Sequence, residues 1–328
     1  SIDTGGPGTY SQLLLLRECM CRLASDLGVE EDNIYPADHF DIMAGVGFGG
    51  VAAITLGLLR MTVDEAIEAV VNIASAVFPE NPDTPFDTTI NSYNLKEALE
   101  DLLLMGGIPI DALMYDKTRP SGRCKVVLYA ATSASIEHPQ AFRTYQSRGP
   151  TLNPTIVEAL CATMSIPSYF IPTKIGLRLR QQCFVGGAMG TNNPTRELLR
   201  EANAIYGKDT RVAQILSLGA GRPRNLSLEK LVTVEKVGQL LTSMMADCEM
   251  VARELSARLY HIEAFLRLNV EVGMEDIQID DWCTLGHIDS QTRAYIDTAT
   301  VAEALELCVK HILYKIGNVT LGQLSACI

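Results

Sequence analysis

Four glycines fall within six residues, Gly45, Gly47, Gly49 and Gly50, inside one apolar run, Phe40-Asp-Ile-Met-Ala-Gly-Val-Gly-Phe-Gly-Gly-Val-Ala-Ala-Ile54. The residues before the cluster suit a buried strand and those after it a buried helix, so the chain must pass between them through a very sharp turn. That is the backbone of a nucleophile elbow. In G-x-S-x-G, small neighbours let a strained strand-to-helix turn lift one side chain, usually Ser, at the mouth of an α/β sheet. The central position here is Gly47, which has no Oγ to attack a carbonyl. The most constraining stretch is an active-site frame without a nucleophile.

The remaining composition narrows the setting. With 328 residues, 47% of them hydrophobic and 20% charged, the chain can bury a large core as one globular unit over residues 1–328. A formal charge of -12 argues against nucleic acid, or an anionic membrane, held by overall charge alone, while leaving room for a local basic patch. Neither an apolar run long enough to span a bilayer nor a basic-then-apolar leader is visible, and the expectation is a cytoplasmic protein. The opening Ser1-Ile2-Asp3 has a core-strand pattern, which suggests a domain excised from a larger multidomain protein. Nine scattered cysteines without C-x-x-C read as reduced thiols, and five histidines without H-E-x-x-H or H-x-x-E-H give no metal site. No cofactor is expected.

In chain order, residues 1–11 run from a strand into a glycine-rich turn, and an apolar helical face covers 12–27. Backbone N–H groups at such a helix start can hold a phosphate or an oxyanion. Thr62 and Glu65 form a capping box for a helix to about 77. Residues 79–86 are proline-rich loop, and Asn94 with Glu97 is the expected cap of a helix ending near Gly106. A buried strand is expected at 125–132, a helix from Asn153-Pro154 through 164, and a strand pair at 168–175 and 182–185. Asn193 and Pro194 launch a helix to 206. A strand at 212–218, helical pattern at 226–259, a strand at 262–270 and helix at 289–316 complete the chain. Strands alternating with helices predict an α/β fold, a three-layer sandwich whose mostly parallel central sheet carries helices on both faces.

Five motifs in one order carry a resemblance: Asp3-Thr-Gly-Gly6, Ala44-Gly-Val-Gly-Phe-Gly-Gly50, Ala159-Leu-Cys-Ala-Thr-Met-Ser-Ile-Pro-Ser-Tyr-Phe170, Phe184-Val-Gly-Gly-Ala-Met-Gly-Thr-Asn-Asn-Pro194 and Ile215-Leu-Ser-Leu-Gly-Ala-Gly221. Together they resemble the patatin-like phospholipase domain. Phe265-Leu-Arg-Leu-Asn-Val270, Ile279-Asp-Asp-Trp282 and Thr292-x-x-Tyr295 further resemble its fungal branch. The resemblance implies an acyl-hydrolase scaffold that works with a Ser-Asp dyad. In the glycine-rich D-G-G-G-x-R-G motif, Gly5 and Gly6 match, Thr4 replaces a glycine and the arginine is absent; Gly5, Gly6, Pro7 and Gly8 are the oxyanion-hole remnant. Pro7 has no N–H to donate. The nucleophile position is Gly47 and the dyad-acid position is Val185, so no catalytic residue is intact. Val46, Phe48, Gly49, Cys183 and Gly186 are the candidate pocket lining, and Phe48 adds bulk where an acyl group enters.

These changes have a common physical sense. Gly occupies the strained elbow conformation without a Cβ clash, and Val in place of Asp avoids a buried carboxylate with no serine to orient. The expectation is a pseudo-phospholipase serving as an interaction, regulatory or lipid-sensing module, with other protein domains or an apolar small molecule as partner and a remnant pocket between the elbow and residues 163–170. Two alternatives stay open: a lipid acyl hydrolase using another nucleophile, with Ser165, Ser217, Cys161 and Cys183 as candidates, or a non-hydrolytic enzyme that reuses the pocket.

Overall fold

Local chemistry sets the elements that frame the elbow. The computed structural model describes residues 1–78, 87–120, 122, 124–149, 151–222, 247–259 and 262–326. The loop expected at 79–86 and the helical pattern before 247 lie outside them. Helix α1 (Gly8–Leu27) starts inside the glycine-rich turn, four residues before its apolar face begins, and ends on Gly28 in the left-handed region (φ 67°). Strand β1 (Ile42–Gly45) leads through the elbow into α2 (Phe48–Ala53), which continues as a wide π turn at Ile54–Leu58. The capping box forms as its spacing predicts: Glu65 N–H donates to Thr62 Oγ1 (3.3 Å), Thr62 N–H donates to Glu65 Oε2 (2.7 Å), and α3 spans Val63–Val77.

The next helix, α4 (Thr88–Met105), begins earlier than the Asn94–Glu97 spacing predicts. Asp87 Oδ1 accepts the N–H groups of Thr89 and Ile90, and Asn94 instead donates from mid-helix to Ala76 O (3.2 Å). A cap needs orphan amides, and those lie at Asp87. Strand β2 (Lys125–Thr132) is followed by β3 (Ser135–Arg143), which the sequence pattern does not reveal because nearly all of it is exposed or half-buried and it contains Pro139. Helix α5 (Ile156–Met164) carries a second capping box, Thr155 with Glu158. The strand pair is β4 (Thr173–Ile175) and β5 (Gln182–Phe184), and α6 spans Thr195–Tyr206. Asn193 Oδ1 accepts from Thr195 N–H (3.1 Å), but Pro194, expected at the first helical position, is itself the N-cap, so the helix starts one residue later than the sequence predicts. The strand expected at 212–218 splits: Arg211–Val212 pairs with Val319–Thr320, and only β6 (Ile215–Leu218) joins the main sheet. Helix α7 spans Glu249–Leu259 and β7 spans Phe265–Leu268. The last helical run is two helices, α8 (Leu285–Ile296) and α9 (Ala299–Tyr314).

The product is an α/β sandwich with a mixed sheet. β7 pairs in parallel with β6, Ile2 bridges Leu218 and Gly45 in parallel, and β1 pairs in parallel with β2. The strand expected at residues 1–3 is therefore the single rung of Ile2. Beyond β2 the pairing turns antiparallel, with β3 and with the β4–β5 hairpin. Alternation along β2 shows both faces covered: Val126, Leu128 and Ala130 pack into the main core with α2 and α5, while Val127 and Tyr129 meet Ala44, Val46 and Leu198 on the side of α6. The main core holds residues from Ile2 to Ile312. Among the described residues no helix is long and apolar enough to cross a membrane.

Candidate active site

Sheet topology brings two loops together. β1 pairs with Lys125–Leu128 of β2 and then leaves as the elbow; β5 takes over at Thr132, with Val185 N–H donating to Ala131 O (3.0 Å) and Ala131 N–H to Gly186 O (2.9 Å). Residues 185–187 thus sit just past the elbow. Thr163, at the end of α5, ties the two: its Oγ1 accepts Gly47 N–H (3.0 Å) and donates to Tyr129 O (2.6 Å), while its carbonyl accepts Gly187 N–H (2.8 Å). Thr163 lies in the Ala159-to-Phe170 motif, yet nothing in one sequence marks it as this clamp.

The elbow keeps its strained shape. Gly47 is buried with φ 58° and ψ −130°, a strained conformation that residues with a Cβ rarely adopt, and Gly50 N–H donates to its carbonyl (2.9 Å) to start α2. A Cβ at Gly47 would meet Thr4 Oγ1 at 2.9 Å. The threonine that replaces a motif glycine therefore fills the space beside the apex. Gly49 is closed as well, since a Cβ there would lie 2.4 Å from Asp3 O.

These loops follow the order of one known family. A family model, patatin-like phospholipase, matches residues 1–199. The chain belongs to the patatin-like phospholipase family. The match runs from the Asp3 turn through the elbow, Thr163, Val185-Gly186-Gly187 and Pro194. No curated protein matches the chain.

In this patatin-like frame the glycine-rich turn is largely committed to itself. Gly8 N–H donates to Gly5 O (2.8 Å) and Thr9 N–H to Gly6 O (3.0 Å), and Pro7 has no donor. Gly8 is therefore tied up as an oxyanion donor, leaving the amides of Gly5 and Gly6. Gly6 has φ 46°, and Ile279 lies over it, with its Cα 3.0 Å from where a Cβ would stand.

The apolar space between elbow and residues 163–170 is occupied. Phe48 is buried with its ring 4.7 Å from Trp282 and 6.1 Å from Phe78; Phe78 stacks on Trp282 (6.1 Å, interplanar 22°) and meets Tyr169 and Phe170 edge-on. Trp282 Nε1 donates to Ile279 O (3.1 Å), so one segment both caps the turn and supplies the plug. Burial, reinforced by Asp280, pushes the Tyr169 hydroxyl up to about 12. These rings fill the expected remnant pocket where it borders Phe48. Three cavities lined by described residues, of about 730, 840 and 350 Å³, lie away from Gly47 and Phe48. Of the candidate lining, Phe48 and Gly49 are at the site, Gly186 (φ 94°) packs on Ser165 and Ile166, and Val46 faces the opposite core with Ala44 and Tyr129. Cys183 is half-buried on β5, opposite Lys174.

The other candidate nucleophiles are held elsewhere. Ser165 Oγ donates to Cys161 O and shares a hydrogen bond with Thr173, and Ser217 Oγ accepts from Arg267 Nη1 (2.9 Å). Burial pushes Cys161 up to about 12, and the Cys248 thiol, which contacts Asn192 O and Thr4 O beside the site, well above its ordinary value. Such thiols stay protonated and poorly nucleophilic. Behind the turn, fully buried Asp3 pairs with Arg267 (2.7 Å), which also pairs with Glu249 (2.9 Å). Burial pushes Asp3 up to about 6 against the pull of Arg267, and Glu249 adds to the rise. Two carboxylates share one guanidinium, a pairing sequence reasoning missed because Arg267 lies in a late strand.

Proposed function

We propose that this patatin-like domain has lost acyl-hydrolase chemistry and acts as a protein-interaction or regulatory module. The observation that carries the reading is the apex itself: Gly47 offers no nucleophile, and Thr4 Oγ1 stands 2.9 Å from where its Cβ would be. Val185, 9% exposed, supplies no acid, and the Phe48–Phe78–Trp282 cluster blocks an acyl chain. A lipid-sensing role requires Trp282 to move, so it ranks below a role played by the outer surface. The thiols beside the site do not favour a replacement nucleophile.

The test is hydrolysis of a short p-nitrophenyl ester and a lysophospholipid by the wild-type chain and by the triple variant Thr4→Gly, Gly47→Ser, Val185→Asp. Expected is background turnover for wild type and a gain for the triple variant, larger than for Gly47→Ser with Val185→Asp alone. Wild-type hydrolysis that a serine- or thiol-directed reagent blocks overturns the proposal.

A further inference from the structure

The β4–β5 hairpin tip carries an exposed apolar pattern that the fold does not use. Its sequence is Gly176-Leu-Arg-Leu-Arg-Gln181, and Leu177 and Leu179 are 77% and 96% exposed. The turn is ordered: Arg180 N–H donates to Leu177 O (2.6 Å), Gly176 has φ 113°, and the strands beneath are anchored by buried Ile175 and Phe184, the latter against Phe142 (5.3 Å). Arg178, Arg180 and Lys174 are exposed and form no ion pair among the described residues. Exposed Ile171 lies next along the chain, its N–H bonded to Ser92 Oγ (2.9 Å) on the first turns of α4, which also expose Ile90 and Tyr93. Because Phe184 opposes Thr132, the tip projects past the C-terminal end of β2, the edge at which β1 enters the elbow.

We propose that this tip docks the protein on an anionic lipid surface, Leu177 and Leu179 entering the apolar layer while Arg178, Arg180 and Lys174 meet headgroup phosphates. A bilayer fits better than a protein partner. Two leucines on a narrow turn are far smaller than a specific protein interface needs, whereas a bilayer accepts a protruding apolar point without a matching pocket. Leu and Arg alternate along the tip, so apolar and cationic groups reach the same boundary, which matches acyl chains beneath phosphates. The net charge of -12 means that only a locally basic edge can approach such a surface, so the tip also sets the orientation. The inference holds whether or not the elbow is silent.

Co-sedimentation of the full chain with vesicles tests it, using phosphatidylcholine alone and phosphatidylcholine with about one-third phosphatidylserine. Expected is salt-sensitive binding to the anionic vesicles that Leu177→Asn with Leu179→Asn weakens at least about tenfold. Arg178→Gln with Arg180→Gln should erase the preference for anionic over neutral vesicles. All four side chains are exposed, so melting temperatures should match wild type. Failure of wild type to bind anionic vesicles, or unchanged binding by the leucine pair, overturns the proposal; so does a wild-type dimer that the leucine variant dissolves without any vesicle binding, which assigns the tip to a second copy of the chain. Ester hydrolysis, measured separately, leaves this result untouched.

Discussion

Gly47 and Thr4 form a pair whose meaning is steric. A Cβ at φ 58°, ψ −130° carries strain of about 1–3 kcal/mol, and here it would also press on Thr4 Oγ1. Gly47→Ser is expected to destabilise the fold by about 2 kcal/mol, and by about 1 kcal/mol less in a Thr4→Gly background. Urea melts of the four members of the double-mutant cycle measure this coupling; additive costs would mean that Thr4 does not occupy the apex. Thr163 is the second decisive residue. Thr163→Val keeps the shape but leaves Gly47 N–H and Tyr129 O without their partner, at a cost of about 2–3 kcal/mol. Faster amide exchange at Gly47 distinguishes loss of the clamp from a general loss of stability.

At the scale of elements, short-range chemistry makes the frame. The Thr62–Glu65 box opens α3 where its spacing predicts, and Thr155–Glu158 opens α5 at Ile156 rather than at the expected Asn153-Pro154 start; in both, the two partners lie within one turn. Thr155→Ala should cost about 1 kcal/mol in denaturant melts, since it orphans a helix-start amide. The Asn94–Glu97 spacing has the same form yet caps nothing, because Asp87 already satisfies the first amides of α4. Helix breaks behave likewise: α8 and α9 share one continuous apolar pattern, and the chain bends at Asp297-Thr298 between them, before the next helix begins at Ala299. Periodicity reports which face is apolar, not where the axis turns.

The whole molecule decides what covers the site. The segment carrying Ile279 and Trp282 closes over the glycine-rich turn and stacks on Phe48, so Trp282→Ala should cost about 2–4 kcal/mol and open a cavity at the elbow. Binding of a fluorescent acyl probe by that variant, and not by wild type, is the expected readout. The buried Asp3–Arg267–Glu249 cluster links the first residues to β7 and α7 and gives a pH signature. With the Asp3 carboxyl at about 6 in the folded protein and near 3.8 unfolded, the native state holds the extra proton between these values. Its contribution to stability is complete below about 3.8 and is lost as pH rises through about 6, a change on the order of 3 kcal/mol. Asp3→Asn should flatten that slope relative to wild type when melts are compared from pH 4 to pH 7.

What the sequence determined by itself is local. The glycine cluster dictates a sharp strand-to-helix turn because only Gly takes such backbone angles freely, and the alternation of apolar strands with capped helices dictates an α/β sandwich. The motif order carries the family, and the residues at the apex and at position 185 are legible as Gly and Val without any structure. Only the tertiary structure decided that Thr4 stands beside Gly47, that Thr163 joins the elbow to Gly187, that Trp282 plugs the space over Phe48, and that Val46 turns to the opposite core. Strand β3 escaped because a half-exposed edge strand has no buried run to betray it. Each of these contacts joins residues far apart in the chain, and periodicity and spacing act over a turn or two, so packing alone can bring them together.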